Sequence, residues 1–233
     1  MSSSRQKTAV FSVAGALGFG CALAAAVGTG LPLWVDAAVL CRTGAELVNA
    51  SGPELDMFLG AVNYGLFTGS RVRHCGLGGR PTRFYFFPDL VAQIPVGLHV
   101  SVLLFCSSVV LFSALASGFF FYNAFGRPYL PLHGPTGLYL WTTAAGLCSF
   151  LVLVLFACEV KVARLSELIS NFNEGSFVFV THGERYERSY WLFLLVFFVQ
   201  AANVLLIRLS GVHFPFHRKE PTDAETGAAD LMY

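Results

Sequence analysis

Residues 28–41 read GTGLPLWVDAAVLC. Their reading decides the fold, because they close the first long apolar run of the chain and open its first water-facing segment. Gly28, Gly30 and Pro32 break a helix there. Trp34 follows at a point where an amphipathic indole either anchors at a membrane interface or caps a helical bundle. Cys41 then poses the question of its partner.

Working outward, 55% of the 233 residues are hydrophobic and only 12% are charged, against roughly 25% charged in soluble domains. The net charge of +1 gives no electrostatic reason to expect a nucleic acid as partner. The apolar residues fall into four blocks, Thr8–Thr29, Ile94–Tyr122, Thr136–Cys158 and Tyr190–Ile207. At about 1.5 Å per residue, about 20 helical residues cross a hydrocarbon core of roughly 30 Å. The expectation is a mainly α membrane protein, a four-transmembrane-helix bundle in contact with membrane lipid. Its segments run as an N-terminus 1–7, spans 8–30, 94–122, 136–158 and 190–210, a large loop 31–93, a short loop 123–135, a second loop 159–189 and a tail 211–233. The first block also resembles a signal peptide, with Ala24-Ala25-Ala26 as a small-residue cleavage site, although it exceeds the usual apolar length of about 7–15 residues. Ala16, Gly20, Ala24 and Gly28 are spaced by four and predict a ridge for close helix packing.

An even number of spans puts both termini on one side. Counting Lys and Arg points the wrong way, with six on the terminal side and nine in loops 31–93 and 159–189. The count carries little weight over a 63-residue loop. Two other features place that loop outside and the termini in the cytosol. Asn49-Ala50-Ser51 is the one N-glycosylation sequon, linking Asn49 with Ser51. Of six cysteines, only Cys41 and Cys75 lie in a water-facing segment, so a Cys41–Cys75 disulfide is expected in an oxidising compartment. On the chain-entropy model it would contribute about 4 kcal/mol. Trp34–Leu40, Arg83–Phe87 and Phe177–Val180 read as strands, which makes a small extracellular sheet. Leu165, Leu168, Ile169 and Phe172 have helical spacing and predict a continuation of the third span.

No catalytic constellation emerges. Gly76-Leu77-Gly78-Gly79-Arg80 lacks the Gly-Lys-Ser/Thr of a phosphate loop. His213 and His217 are separated by Pro215, which disrupts a helical metal pair. No enzyme, cofactor or metal is implied. His99, Gln200 and Asn203 are intramembrane polar residues, suited to interhelical hydrogen bonds or, alternatively, to a conduction path. Arg71, Arg73, His74, Arg80 and Arg83 make a basic loop, either a solvated surface or a contact for acidic partners or lipid headgroups. The acidic tail EPTDAETGAADLMY ends with Leu231 and Tyr233 in the spacing that suits a PDZ groove.

The segments LCRTGAELVNASGPELD (40–56), YGLF (64–67), RHCGLGGRP (73–81), FFPDLV (86–91), YNAFGRP (122–128), HGPTGLYLW (133–141) and AADLMY (228–233) resemble the clarin family within the claudin-like tetraspan group. Against claudins proper the likeness is looser, since 33 residues separate Cys41 from Cys75 and the cytosolic segments hold no cysteine. The resemblance implies a multi-pass plasma-membrane organiser or adaptor of sensory hair cells and photoreceptors. It implies roles in stereocilia, actin organisation and the synapse, with lateral membrane-protein partners and actin-linked complexes. The alternatives are an auxiliary subunit of a calcium channel and a claudin-type junction protein.

Overall fold

A computed structural model describes residues 2–76, 78–125 and 135–209. Four helices are long and apolar enough to cross a membrane. They are α1 (Ser2–Gly30), α3 (Val96–Phe125), α4 (Pro135–Lys161) and α6 (Arg188–Leu209). Helices suit this setting because they satisfy every backbone polar group internally. In the bundle α1 packs on α3 and α6, and α4 packs on the same two helices. Leu17, Phe19, Leu23, Leu104, Leu147 and Phe198 point outward, where lipid tails are as apolar as the residues themselves.

The expected ridge on α1 is corrected by this packing. Ala16 and Gly20 are exposed, Ala24 is half-buried, and of the four only Gly28 is buried. Steps of four advance about 40° around a helix of 3.6 residues per turn, so three steps rotate the ridge off its starting face. The close contact is made by Ala14, Gly15 and Gly18. A Cβ on Gly18 would lie 3.5 Å from that of Ser117, whereas one on Gly20 would meet nothing within 4 Å. Ser117 Oγ also donates to the Gly15 carbonyl at 2.7 Å.

At one end of the bundle sits a five-stranded antiparallel sheet in the order β4-β3-β2-β1-β5. Its strands are β1 (Val35–Cys41), β2 (Leu59–Tyr64), β3 (Thr68–His74), β4 (Gly79–Tyr85) and β5 (Phe179–Tyr186). The first loop supplies four strands, and the second adds β5 against β1. Burial along β1 alternates strictly, with Val35, Ala37, Val39 and Cys41 inward. Two expectations shift. The strand expected as Arg83–Phe87 begins earlier, at Gly79, and leaves the sheet after Tyr85, although Phe87 keeps an extended backbone at φ −117°, ψ 124°. The third span does not continue as one amphipathic helix either. It stops at Lys161, turns through Arg164 at φ 51°, and restarts as α5 (Leu165–Asn171) beneath the sheet. Strands β2 and β3 lie outside the three expected strand segments. Between β1 and β2 lie a short helix, α2 (Arg42–Leu47), and a 3-10 turn.

Candidate functional site

The chemistry of the molecule concentrates where the sheet meets the helices. Trp34 is fully buried there. Its indole Nε1 donates to the Gly28 carbonyl at 2.8 Å, one of the four carbonyls that the end of α1 leaves without an intrahelical partner. The ring packs edge-on to Phe156 at 4.7 Å and against Phe193 at 5.2 Å. Of the two roles open to it, Trp34 therefore caps the bundle. The interface-anchor reading is corrected, since a ring enclosed by α4 and α6 reaches neither lipid nor water.

At the same junction His99, on α3, is fully enclosed. Nδ1 lies 2.8 Å from Glu159 Oε1 on α4, and Nε2 lies 2.9 Å from the Leu66 carbonyl in the β2–β3 hairpin. Both ring nitrogens face oxygen acceptors, so one proton must be shared between ring and carboxyl in addition to the one on Nε2. The pair is then neutral overall, the condition under which ionisable groups tolerate complete burial. Phe86 stacks on the imidazole at 4.6 Å with a 13° interplanar angle. One histidine thus joins two helices and a hairpin. Gly65 in that hairpin must be glycine, because a Cβ would sit 2.5 Å from the Leu31 carbonyl. Sequence reasoning missed Glu159, which falls one residue past the expected third span.

A second network fastens α5. Tyr64 and Ser166 hydroxyls lie 3.0 Å apart, Ser166 Oγ donates to Glu184 Oε1 at 2.7 Å, and Lys161 Nζ reaches Glu184 Oε2 at 2.6 Å. Burial pushes the Tyr64 phenol above its ordinary range. Tyr186, on β5, is pushed up to about 12, first by burial and then by Tyr190 and Glu184. The basic loop divides between the two sides of the sheet. Arg71 is buried, bonds the Ile169 carbonyl at the end of α5, and lies over the Phe172 ring at 5.5 Å. Burial and neighbouring Arg73 lower its pKa to about 10. Arg73 pairs with Glu174 at 2.6 Å, exposed Arg80 lies beside Arg73 by register on the same face, and exposed Arg83 is on the other.

Cys41 and Cys75 form a disulfide with Cα atoms 5.5 Å apart, tying the end of β1 to the turn after β3. Asn49 is exposed and adopts φ 54° just past α2. Its N–H bonds the Glu46 carbonyl at 3.3 Å, and that of Ala50 bonds Ala45 at 2.9 Å, a Schellman-type helix end with Asn in the left-handed position. Deeper in the bundle, Gln200 Nε2 donates to Ser113 Oγ at 2.8 Å and Asn203 Nδ2 to the Ala14 carbonyl at 3.4 Å. These are contacts between helices. Among the described residues no three His, Cys, Asp or Glu side chains gather as a metal set. Leu231, Tyr233, His213 and His217 lie outside the described residues.

Four apolar helices, one antiparallel sheet drawn from both loops and a disulfide across that sheet define a claudin-like tetraspan membrane protein. Within that class the chain belongs to the clarin family, as the full-length similarities establish. A family model described as "Clarin-2: Clarin-2-like" matches residues 6–207. Clarin-1 of Mus musculus is 53% identical over 230 residues, covering 99% of each chain, and Clarin-1 of Homo sapiens is 51% identical over the same length and coverage. Clarin-2 of Mus musculus is 37% identical over 223 residues, covering 96% of each.

Proposed function

We propose that this clarin is a non-enzymatic organiser of the plasma membrane. In this reading the sheet faces the extracellular side, both termini are cytosolic, and the bundle gathers membrane proteins by lateral contact. One observation carries it: the charged groups at the junction, buried His99, Glu159 and Arg71 and half-buried Glu184, all act in fastening the sheet to the helices. That leaves outward surfaces for recognition. The orientation is supported by the disulfide, which persists on an oxidising side, and by the exposed sequon at Asn49 on the same end. The setting is the one the clarin resemblance implies, sensory hair cells and photoreceptors, with actin organisation in stereocilia and maintenance of the synapse. The tail ending in Leu231 and Tyr233 would meet a PDZ scaffold. Proximity labelling of the native protein tests this. Scaffold and actin-linked proteins are expected in the labelled set, and ion-channel subunits without them would overturn the organiser reading.

A further inference from the structure

The sheet face turned away from α5 carries a polar row that crosses all five strands. Pairing places Arg83 beside Ser70, Ser70 beside Asn63, Asn63 beside Asp36, and Asp36 beside Arg185. At the β4 end this row borders an open cavity of about 380 Å³, lined by Pro32, Asn63, Thr68, Ser70, Arg83 and Tyr85 among others. Its level follows from the chain. Pro32 lies two residues beyond the end of α1, and Tyr85 is the last residue of β4. The cavity therefore opens close to the end of one membrane span, α1. Tyr85 in the lining is exposed, as are Leu31 and Phe67, each next in sequence to a lining residue, an apolar and aromatic surface of the kind found at headgroup depth.

We propose that this cavity binds the headgroup of a choline phospholipid from the leaflet on the sheet side. The polar lining is one guanidinium, the hydroxyls of Thr68, Ser70 and Tyr85, and one carboxamide, with no carboxylate among the lining residues. A phosphodiester carries one negative charge, and a single guanidinium with flanking hydroxyls matches it. A second cation is held away. Arg80 sits three residues from Arg83 and so projects from the opposite face of β4, and Arg185, at the far end of the row, is paired with Asp36 and Glu187. That arrangement disfavours polyanionic headgroups and free phosphate. The quaternary ammonium has its own surface, the face of the half-exposed Tyr85 ring. Asp89 accepts the Tyr85 backbone N–H at 3.3 Å and so holds a negative charge close to that residue. The assignment holds whichever compartment the sheet faces.

The test is native mass spectrometry of the full-length protein from a phosphate-free neutral detergent. The probes are palmitoyl-oleoyl phosphatidylcholine, the corresponding diacylglycerol, phosphatidylglycerol with the same chains, and inorganic phosphate. One phosphatidylcholine should be retained at concentrations where diacylglycerol is not. Arg83→Gln should weaken that retention about tenfold, the loss of roughly one charge-assisted contact. Arg185→Gln, at the other end of the row, should leave it unchanged and shows that a lost surface charge alone is not the cause. Tyr85→Leu should weaken phosphatidylcholine while sparing phosphatidylglycerol, which has no ammonium. Equal retention of diacylglycerol, displacement by inorganic phosphate, or an Arg83→Gln protein that binds like the wild type would each overturn the assignment.

Discussion

The His99–Glu159 pair gives the sharpest test of how the sheet is held. Both side chains are 0% exposed, so removing either leaves its partner desolvated and without compensation, at a cost of about 3–5 kcal/mol. Glu159→Leu and His99→Leu should each lose that much. At about 2–4 °C per kcal/mol for a chain of this size, the unfolding midpoint should fall by roughly 6–20 °C. The double variant removes the charge problem and leaves chiefly the Leu66 carbonyl without its donor, about 1–3 kcal/mol. It should therefore be more stable than either single variant. The assay is thermal unfolding in micelles, combined with hydrogen exchange of the 64–68 hairpin. In that hairpin the Gly65 N–H bonds the Thr68 carbonyl at 2.9 Å, and exchange there should quicken before that of α1. If the double variant's loss equals the sum of the singles to within about 0.5 kcal/mol, the two groups are not coupled and the account of the junction fails.

Three further outcomes follow from single positions. Ser51→Ala should abolish glycosylation without touching the helix end, Asn49→Gly should do the same while keeping the left-handed cap, and Asn49→Gln should lose both; glycosidase shifts read the first effect and melting the second. Gly18→Leu should destabilise the α1–α3 contact by about 1–3 kcal/mol through overpacking against Ser117, whereas Gly20→Leu should change stability by no more than about 0.5 kcal/mol, measured by unfolding in micelles. The Tyr186 phenol titrates at about 12 in the fold against 10.0 for the free group, so its contribution is intact below pH 10 and lost as pH rises towards 12. Tyr186→Phe should flatten the decline of stability in that window, and an unchanged slope would remove the assignment.

The four apolar blocks and the Cys41–Cys75 pair were legible because each follows from a one-dimensional rule, run length in one case and elimination in the other. The strands β2 and β3 were not. LGAVNY and TGSRVRH contain glycines and arginines that read as loop, and their inward face includes Arg71, whose charge is masked by the carbonyl of Ile169 and the ring of Phe172. That burial depends on α5, far away in sequence. The packing face of α1 was misjudged by a rotation, since several small-residue registers coexist on that helix and only α3 selects between them. Glu159 was invisible for a related reason. A carboxylate at the edge of an apolar block reads as its boundary unless the histidine that neutralises it, 60 residues earlier, is known to face it.

Where these groups lie decides what kind of object the sheet is. The larger apolar cluster runs without a break from Val35, Val39 and Val62 in the sheet, through Trp34, to Phe156, Phe193 and Val109 in the helices. A separate cluster, with Phe11, Ala116, Phe120, Leu138 and Ile207, fills the other end of the bundle. A hinged lid would show a polar or thinly packed seam at its base. Here the seam is crossed by an indole, a stacked imidazole and a neutralised ion pair, all buried. Contiguous packing of that kind opens as one cooperative unit. The sheet and the adjoining half of the bundle are therefore one body, so a perturbation on the sheet face is felt by the helices packed beneath it.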